Sequence, residues 1–354
     1  MRRRDFLLAA SAAFLPRGAL AQYPHVRTGV ALQFPRDHGA HPAYRTEWWY
    51  VTGWAQSDGG DPLGIQITFF RNRPLLQEDN PSAFAPKQLL FAHAAIADPA
   101  AGRLLHDQRV AREGLGLAFA DTATTNLRIM DWRLALDAAG YAATIVAADF
   151  DLTLAFAPTQ PILLQGDAGY SRKGPGPSQA SYYYSRPHLA TRGILRTARG
   201  HLDVTGVSWL DHEWSSEILD ASASGWDWAG LNLDDGGALT LFRIRGKQGG
   251  SVWAGGSYRA RGRPARAFQP GEVAFEPMRR WRSPRTGVEY PVAMRVRAAD
   301  RTLELIPLMD DQELDSRAST GTLYWEGAVR AMESGRAVGR GYLELTGYFQ
   351  PLRL

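Results

Sequence analysis

The titratable side chains best suited to chemistry in this sequence stand in a row, at Asp211, His212 and Glu213. Four tryptophans lie close to them along the chain: Trp209, Trp214, Trp226 and Trp228. A carboxyl group or an imidazole held among aromatic rings can act in proton transfer, because burial shifts its pKa. Such a cluster indicates a functional site. The alternative interpretation is a buried, tryptophan-rich hinge whose charged groups lie at its solvent-exposed edge.

Side-chain alternation divides this cluster into two faces. If residues 202–214 form a β-strand, His212 and Trp214 point to one side of it, and Asp211 and Glu213 point to the other. We therefore predict that His212 and Trp214 border an apolar pocket near the contact between two domains. Asp211 and Glu213 are expected to face away from that pocket or to lie at its rim. Two further tryptophans should border the same pocket: Trp226 and Trp228.

The sequence supplies candidate catalytic and ligand-binding residues. The candidate catalytic residues are His212, Trp214 and Asp211. The candidate ligand-binding residues are Glu47, Trp49, Tyr183, Trp209, Trp226 and Trp228. Glu47 and Trp49 alternate onto one strand face and could enter a barrel interior together. Pairing of Glu47 with Arg45 or Arg71 is the alternative.

Several kinds of active site are excluded or disfavoured by the residue types. The chain contains no cysteine, which excludes disulfides, thiol nucleophiles and cysteine-ligated metals. Its eight histidines show no H-E-x-x-H or other metal-ligand spacing, and three consecutive strand residues cannot all face one ion. No G-x-S-x-G elbow, phosphate loop or dinucleotide fingerprint occurs. We therefore expect neither a metal ion nor an organic cofactor.

Residues 1–21 have the form of an export signal. A basic stretch precedes an apolar run, and the R-R-x-F-L motif that begins at Arg3 is typical of twin-arginine signals. A small-x-small end at residues 19–21 predicts cleavage before Gln22. The apolar run is short for a permanent membrane span. We expect a periplasmic or secreted protein with no transmembrane anchor after cleavage.

Composition favours a globular protein of two domains. The chain has 354 residues, of which 45% are hydrophobic, and this is ample for a core. The net charge of +4 falls to about +1 without residues 1–21, which contain four arginines and one aspartate. Basic residues are interspersed with acidic ones, so no nucleic-acid partner is expected.

The sequence after Gln22 predicts β-strands throughout. Short alternating or apolar runs recur, and turn clusters such as Ser57–Pro62 and Asp137–Gly140 separate them. No window shows a long, capped helical periodicity. Closely spaced strands with polar turns are typical of antiparallel barrels or sandwiches, and we predict an all-β fold.

An internal repeat predicts two domains of common plan. W-x-x-x-G followed by D-G-G occurs from Trp49 and again from Trp226, and each copy runs into a strand with T-x-F-R. R-G-H-L-D-V-T-G, ending at Gly206, matches R-G-Y-L-E-L-T-G, ending at Gly347. We predict tandem antiparallel β-barrels related by duplication, in domains 22–216 and 217–354. Trp49 should then be equivalent to Trp226, and Gly206 to Gly347.

Three longer motifs resemble the AttH-like and carotenoid 1,2-hydratase family. They are H-P-A-Y-R-T-E-W-W-Y-V-T-G (His41–Gly53), S-Y-Y-Y-S-R-P-H-L (Ser181–Leu189) and G-V-S-W-L-D-H-E-W (Gly206–Trp214). A W-R-S-P…Y-P segment from Trp281 to Pro291 is similar to the C-terminal half of such proteins. The resemblance covers the whole mature chain and implies two tandem lipocalin-like β-barrel domains. Function varies within such a fold.

The resemblance also implies a chemistry. The family's hydratases add water to an isoprenoid double bond by acid catalysis without a cofactor, and their His-x-Trp pattern is present at His212 and Trp214. Their Tyr-x-Asp pattern is missing from the strand at Leu239–Arg245. We therefore expect an exported protein that binds a lipid or isoprenoid-like ligand, in a role compatible with a membrane transporter as partner. A carotenoid 1,2-hydratase-like enzyme is the alternative.

Overall fold

The computed structural model describes residues 23–74, 80–82 and 84–352. The predicted signal peptide, residues 1–21, lies outside the described residues. The helices in these ranges are single 3₁₀ turns, at Arg36–His38, Pro99–Ala101 and Pro270–Glu272. None of the helices described is long and apolar enough to cross a membrane.

The first half of the chain forms one antiparallel sheet of thirteen strands. Its strands are β1 (Thr46–Ser57), β2 (Pro62–Asn72), β3 (Leu89–Asp98), β4 (Arg103–Arg112), β5 (Ala118–Ala120), β6 (Asn126–Ile129), β7 (Trp132–Asp137), β8 (Gly140–Val146), β9 (Asp151–Pro158), β10 (Leu163–Leu164), β11 (Tyr170–Arg172), β12 (Ala180–Thr197) and β13 (Gly200–Glu217). The order is β4-β3-β2-β1-β13-β12-β9-β8-β7-β6-β5, and β10 and β11 pair with β12. The sheet curls so that β3 and β4 approach β6.

The second half forms a separate antiparallel sheet of ten strands. Its strands are β14 (Ala223–Leu233), β15 (Ala238–Gly246), β16 (Ser251–Arg259), β17 (Arg266–Ala267), β18 (Val273–Arg282), β19 (Glu289–Ala298), β20 (Arg301–Pro307), β21 (Glu313–Asp315), β22 (Leu323–Glu333) and β23 (Arg336–Leu345). The order is β17-β16-β15-β14-β23-β22-β20-β19-β18, with β21 paired to β22. This sheet also curls, since β15 and β16 approach β18.

The two sheets share a common strand order, which the first sheet extends by β6 and β5 beyond β7. Each begins with a hairpin whose first strand also pairs with the last strand of the sheet, β1 with β13 and β14 with β23. Each curled sheet encloses its own apolar core, built from the inward-facing residues that alternate along its strands. The predicted all-β fold of two tandem lipocalin-like barrels is confirmed.

The first hairpin of each barrel shows an error in the predicted alignment of the repeats. The amide of Gly60 closes the turn in the first barrel and that of Gly236 closes it in the second, each donating to the carbonyl three residues earlier. The sequence offset between Gly60 and Gly236 is one residue smaller than the offset between the two D-G-G runs. On a β-strand, an alignment error of one residue assigns every side chain to the opposite face of the sheet. Trp49 therefore packs in the first core while Trp226 faces the other barrel, so their predicted equivalence is wrong.

The predicted equivalence of Gly206 with Gly347 is also wrong. A Cβ added to Gly206 would lie 2.0 Å from the carbonyl oxygen of Trp54, and a Cβ added to Gly341 would lie 1.9 Å from that of Gly230. Both positions need glycine because a side chain there would clash with the backbone of the first strand, which is the paired neighbour of the last strand. Gly206 thus corresponds to Gly341, six residues before the glycine that the sequence motif selected.

Candidate functional site

A cavity of about 740 Å³ lies between the two barrels. The outer faces of β1, β2, β3 and β13 form one wall, and the outer faces of β14, β15, β22 and β23 form the other. We call this space the interdomain cavity. Direct hydrogen bonds join its walls: His93 Nδ1 lies 2.7 Å from the Tyr324 hydroxyl, and Trp54 Nε1 donates to the Gly341 carbonyl at 2.9 Å.

Aromatic rings make up most of the apolar lining of the interdomain cavity. They alternate with core residues along their strands, which is why they point outward from their own barrel. The rings are Trp48, Tyr50, Phe70, Phe91, Trp226, Trp228, Phe242 and Tyr324. Trp226 and Trp228 therefore border the cavity near the barrel contact, as their positions in the sequence predicted.

His212 and Trp214 do not border the interdomain cavity, and that part of the prediction is wrong. The alternation on β13 is as predicted, but the face that carries His212 and Trp214 turns away from the second barrel. Asp211 and Glu213, expected to face away from the pocket or to lie at its rim, form part of its wall. The strand alternation could not reveal which face would meet the other domain.

Asp211 lies at the centre of a hydrogen-bond network beside the cavity. The Tyr183 hydroxyl donates to Asp211 Oδ2 at 2.6 Å, and Trp209 Nε1 donates to Oδ1 at 2.6 Å. Trp228 Nε1 in turn lies 3.1 Å from the Tyr183 hydroxyl. Burial raises the pKa of Asp211 to about 7, although its hydrogen bonds oppose the shift. Tyr183 and Trp209, predicted to bind ligand, are buried behind the wall and position Asp211 and Trp228.

Three more carboxyl groups line the interdomain cavity. Glu213 is paired with Lys173 Nζ at 3.0 Å, and that ammonium also lies 4.2 Å from the centroid of the Phe242 ring. Glu326 on β22 and Glu344 on β23 are direct cross-strand partners. Among the described residues neither has a basic partner in an ion pair. The two are therefore carboxyl groups without a compensating cation inside an aromatic cavity.

A second cluster of charged groups lies inside the first barrel, on the opposite face of β1 and β13. Glu47 Oε1 is 2.8 Å from His212 Nε2 and 2.7 Å from His41 Nδ1, and Glu47 Oε2 accepts from Arg71 Nε at 2.8 Å. Trp49 stacks on His212 with ring centroids 4.5 Å apart, and Trp214 stacks on His41 at 3.7 Å. We call Glu47, His41, His212 and Arg71 the barrel cluster.

The barrel cluster is electrostatically balanced. Burial would raise the pKa of Glu47, but Arg71 and His41 hold that pKa well below its ordinary value. Burial lowers the pKa of His212 to about 4, so its imidazole is neutral at physiological pH. Glu47 is paired with Arg71, which was the alternative to ligand binding that the sequence left open. Glu47 and Trp49 enter the barrel and do not border the interdomain cavity.

Comparison with known proteins identifies the family. The sequence model of the AttH-like family matches residues 25–348. The chain belongs to the AttH-like family. An AttH-like protein from Nitrosomonas europaea, known from a crystal structure, is 51% identical with a TM-score of 0.86, over 92% of this chain and 99% of that one. Kievitone hydratase from Nectria haematococca is 12% identical with a TM-score of 0.68, over 92% and 96% of the two chains, which shows a shared fold. No curated protein sequence matches significantly.

The barrel cluster of this AttH-like chain also holds a set of possible metal ligands. His41 Nδ1, Glu47 Oε1 and His212 Nε2 lie within 4.8 Å of one another. Histidine spacing in the sequence did not predict this group, because His41 and His212 belong to segments far apart in the chain. The three atoms already satisfy one another by hydrogen bonding, and Tyr184 contacts the remaining His212 nitrogen at 3.1 Å.

Sequence analysis of the AttH-like chain missed the carboxyl groups on β22 and β23. A signal for them was present, since Tyr-x-Glu occurs at Tyr324–Glu326 and again at Tyr342–Glu344. Residues two apart on a strand share a face, so each glutamate accompanies a tyrosine. The register of the two strands then places Glu326 directly opposite Glu344. The repeat between the two strands was visible, but their pairing was not.

Proposed function

We propose that this AttH-like protein binds a hydrophobic small molecule, of the lipid or isoprenoid kind, in the interdomain cavity. The observation that carries the proposal is the aromatic cavity itself, whose volume of about 740 Å³ lies in the range of roughly 300–1,000 Å³ typical of ligand pockets. Rings from both barrels form its walls, so a bound molecule would contact both domains. A membrane transporter that supplies or receives this ligand stays a prediction from the sequence.

Replacing Trp228 by alanine should weaken binding of a neutral hydrophobic probe, N-phenyl-1-naphthylamine, by at least about tenfold. The ring borders the cavity, and losing its apolar contact costs roughly 1.5–3 kcal/mol. Fluorescence titration of the full mature chain measures this. The matched control is Trp281→Ala, which removes a half-buried tryptophan of β18 outside the cavity. Equal affinities of the two variants, or no binding by the wild type, would contradict the proposal. Native mass spectrometry of the purified protein should also reveal a co-purifying ligand.

A cofactor-free hydratase is the second candidate function. Asp211 favours it, because a carboxyl group with a pKa of about 7 on the cavity wall can donate a proton at neutral pH. The kievitone hydratase that shares the fold is named for this class of reaction. The co-purified ligand provides the test, after incubation with the protein in water. A product that carries the elements of water supports the enzyme, and recovery of unchanged ligand supports a carrier.

The export proposal rests on the twin-arginine motif at Arg3 and Arg4. Replacing both by lysine should leave the protein in the cytoplasm, because twin-arginine transport reads that pair. Cell fractionation with N-terminal sequencing measures the outcome, and the wild type should be found outside the cytoplasm with an N-terminus near Gln22. The control replaces Arg2 by lysine. Wild-type chain that stays cytosolic with residues 1–21 attached would refute export.

A further inference from the structure

The wall of the interdomain cavity contains two buried polar atoms with unused hydrogen-bonding capacity. The Tyr50 hydroxyl and Glu326 Oε1 lie near each other but form no hydrogen bond of good geometry with any described part of the chain, although both side chains are at least nine-tenths buried. Buried polar groups in folded proteins are nearly always hydrogen-bonded, since leaving one unpaired is costly. Both residues line the cavity, so a ligand in the cavity is placed to satisfy them.

Burial and a neighbouring carboxyl group keep Glu326 protonated. Glu344 is its direct cross-strand partner, which brings the two side chains within about 5.5 Å at their Cβ atoms. Two carboxyl groups this close in an apolar site cannot both ionise without a cation. The nearby ammonium of Lys173 is engaged by Glu213. Burial, with Glu344 adding to it, raises the pKa of Glu326 well above its ordinary value.

A protonated carboxyl group and a tyrosine hydroxyl are both hydrogen-bond donors. Burial and the nearby Glu326 raise the pKa of Tyr50, so its hydroxyl also keeps its proton. A carbonyl oxygen has two lone pairs and can accept from both groups at once. A carboxylic acid kept neutral by an apolar site, beside a tyrosine, is a known arrangement for binding a carbonyl or enolate oxygen.

We propose that Tyr50 and Glu326 form a donor pair for the carbonyl oxygen of a hydrophobic ligand, so that the interdomain cavity takes ketones or enones with an apolar body. The inference rests on the proposed function, because it needs a ligand in this cavity. Glu344 acts as a positioning residue that keeps the proton on Glu326. The aromatic rings hold the apolar part, and the donor pair sets the orientation of the polar end.

The fluorescent naphthyl ketone Prodan tests this donor pair, because hydrogen bonding to its carbonyl shifts its emission to the red. Prodan bound to the wild type should show the emission of a hydrogen-bonded carbonyl, although the cavity is lined by aromatic rings. Tyr50→Phe and Glu326→Met should each shift the bound emission to the blue and weaken binding about five- to tenfold. Glu326→Gln keeps a donor and should retain most of the red emission. Tyr170→Phe is the matched control, since that hydroxyl donates to the Pro177 carbonyl outside the cavity.

A probe without a carbonyl separates the two proposals. N-Phenyl-1-naphthylamine should bind the wild type, Tyr50→Phe and Glu326→Met with similar affinity, which also shows that the variants are folded. Failure of this probe to bind the wild type would remove the proposed function and the donor pair with it. Normal binding of this probe, with bound Prodan unaffected by either variant, would overturn the donor pair alone. Displacement of the probe by decylamine at lower concentration than by 2-decanone at pH 7 would also overturn it, in favour of an ammonium ligand.

Discussion

Replacing Arg71 by methionine should lower the free energy of unfolding by about 3–5 kcal/mol at pH 7. Arg71 and Glu47 are almost completely inaccessible to solvent, and Arg71 Nε donates to Glu47 Oε2 at 2.8 Å. Without the guanidinium the buried Glu47 carboxylate loses its strongest counter-charge and keeps hydrogen bonds to His41 and His212 among the described residues. Urea unfolding followed by circular dichroism measures the loss.

The control for Arg71 is Arg196→Met on β12. Arg196 pairs with Asp151 at the protein surface, and an exposed ion pair contributes about 1 kcal/mol or less. The double variant Arg71→Met with Glu47→Gln should recover part of the lost stability, since it removes the orphaned charge. Lowering the pH should also narrow the gap between Arg71→Met and the wild type, because protonation neutralises Glu47. A loss below about 1 kcal/mol for Arg71→Met would show that the barrel cluster is not essential to the fold.

Replacing Glu344 by glutamine should stabilise the protein at alkaline pH by about 4–5 kcal/mol. Burial raises the pKa of Glu344 from 4.5 to about 8 in the folded chain. A group whose pKa is raised on folding contributes stability that is complete below its unfolded pKa and is lost as the pH rises through the folded pKa. Glutamine cannot ionise, so the variant does not suffer that loss. Its advantage should therefore be absent near pH 4 and should grow up to pH 9.

Unfolding curves at pH 4, 6, 8 and 9 measure this advantage. The control is Glu276→Gln, which changes a solvent-exposed carboxyl group on β18 outside the cavity. A Glu344→Gln advantage that is the same from pH 4 to pH 9 would contradict a raised pKa. It would also indicate that Glu344 is ionised beside Glu326 without cost.

The motifs and alternation of the sequence determined the fold. Polar turns between short alternating runs predict antiparallel strands, and the repeated hairpin predicts two barrels, because strand pairing and turn formation are largely local. Alternation also separated Asp211 and Glu213 from His212 and Trp214 correctly, since side chains on a strand alternate regardless of context. The resemblance through E-W-W-Y and D-H-E-W led to the family that the comparison shows.

The tertiary structure alone decided which of these faces meets a cavity. The outer faces of the first strands of both barrels pack against each other, so Asp211 enters the cavity wall and His212 enters the first barrel. The alignment of the two repeats by sequence motif was wrong by one residue at Trp226. On a strand, such an error assigns the side chain to the opposite face of the sheet. β22 and β23 follow each other in the sequence and pair as a hairpin. The sequence does not reveal the register of that hairpin, so it could not predict that Glu326 lies opposite Glu344. Local patterns determine strands and faces, whereas the location of a site depends on how two separately curled sheets dock.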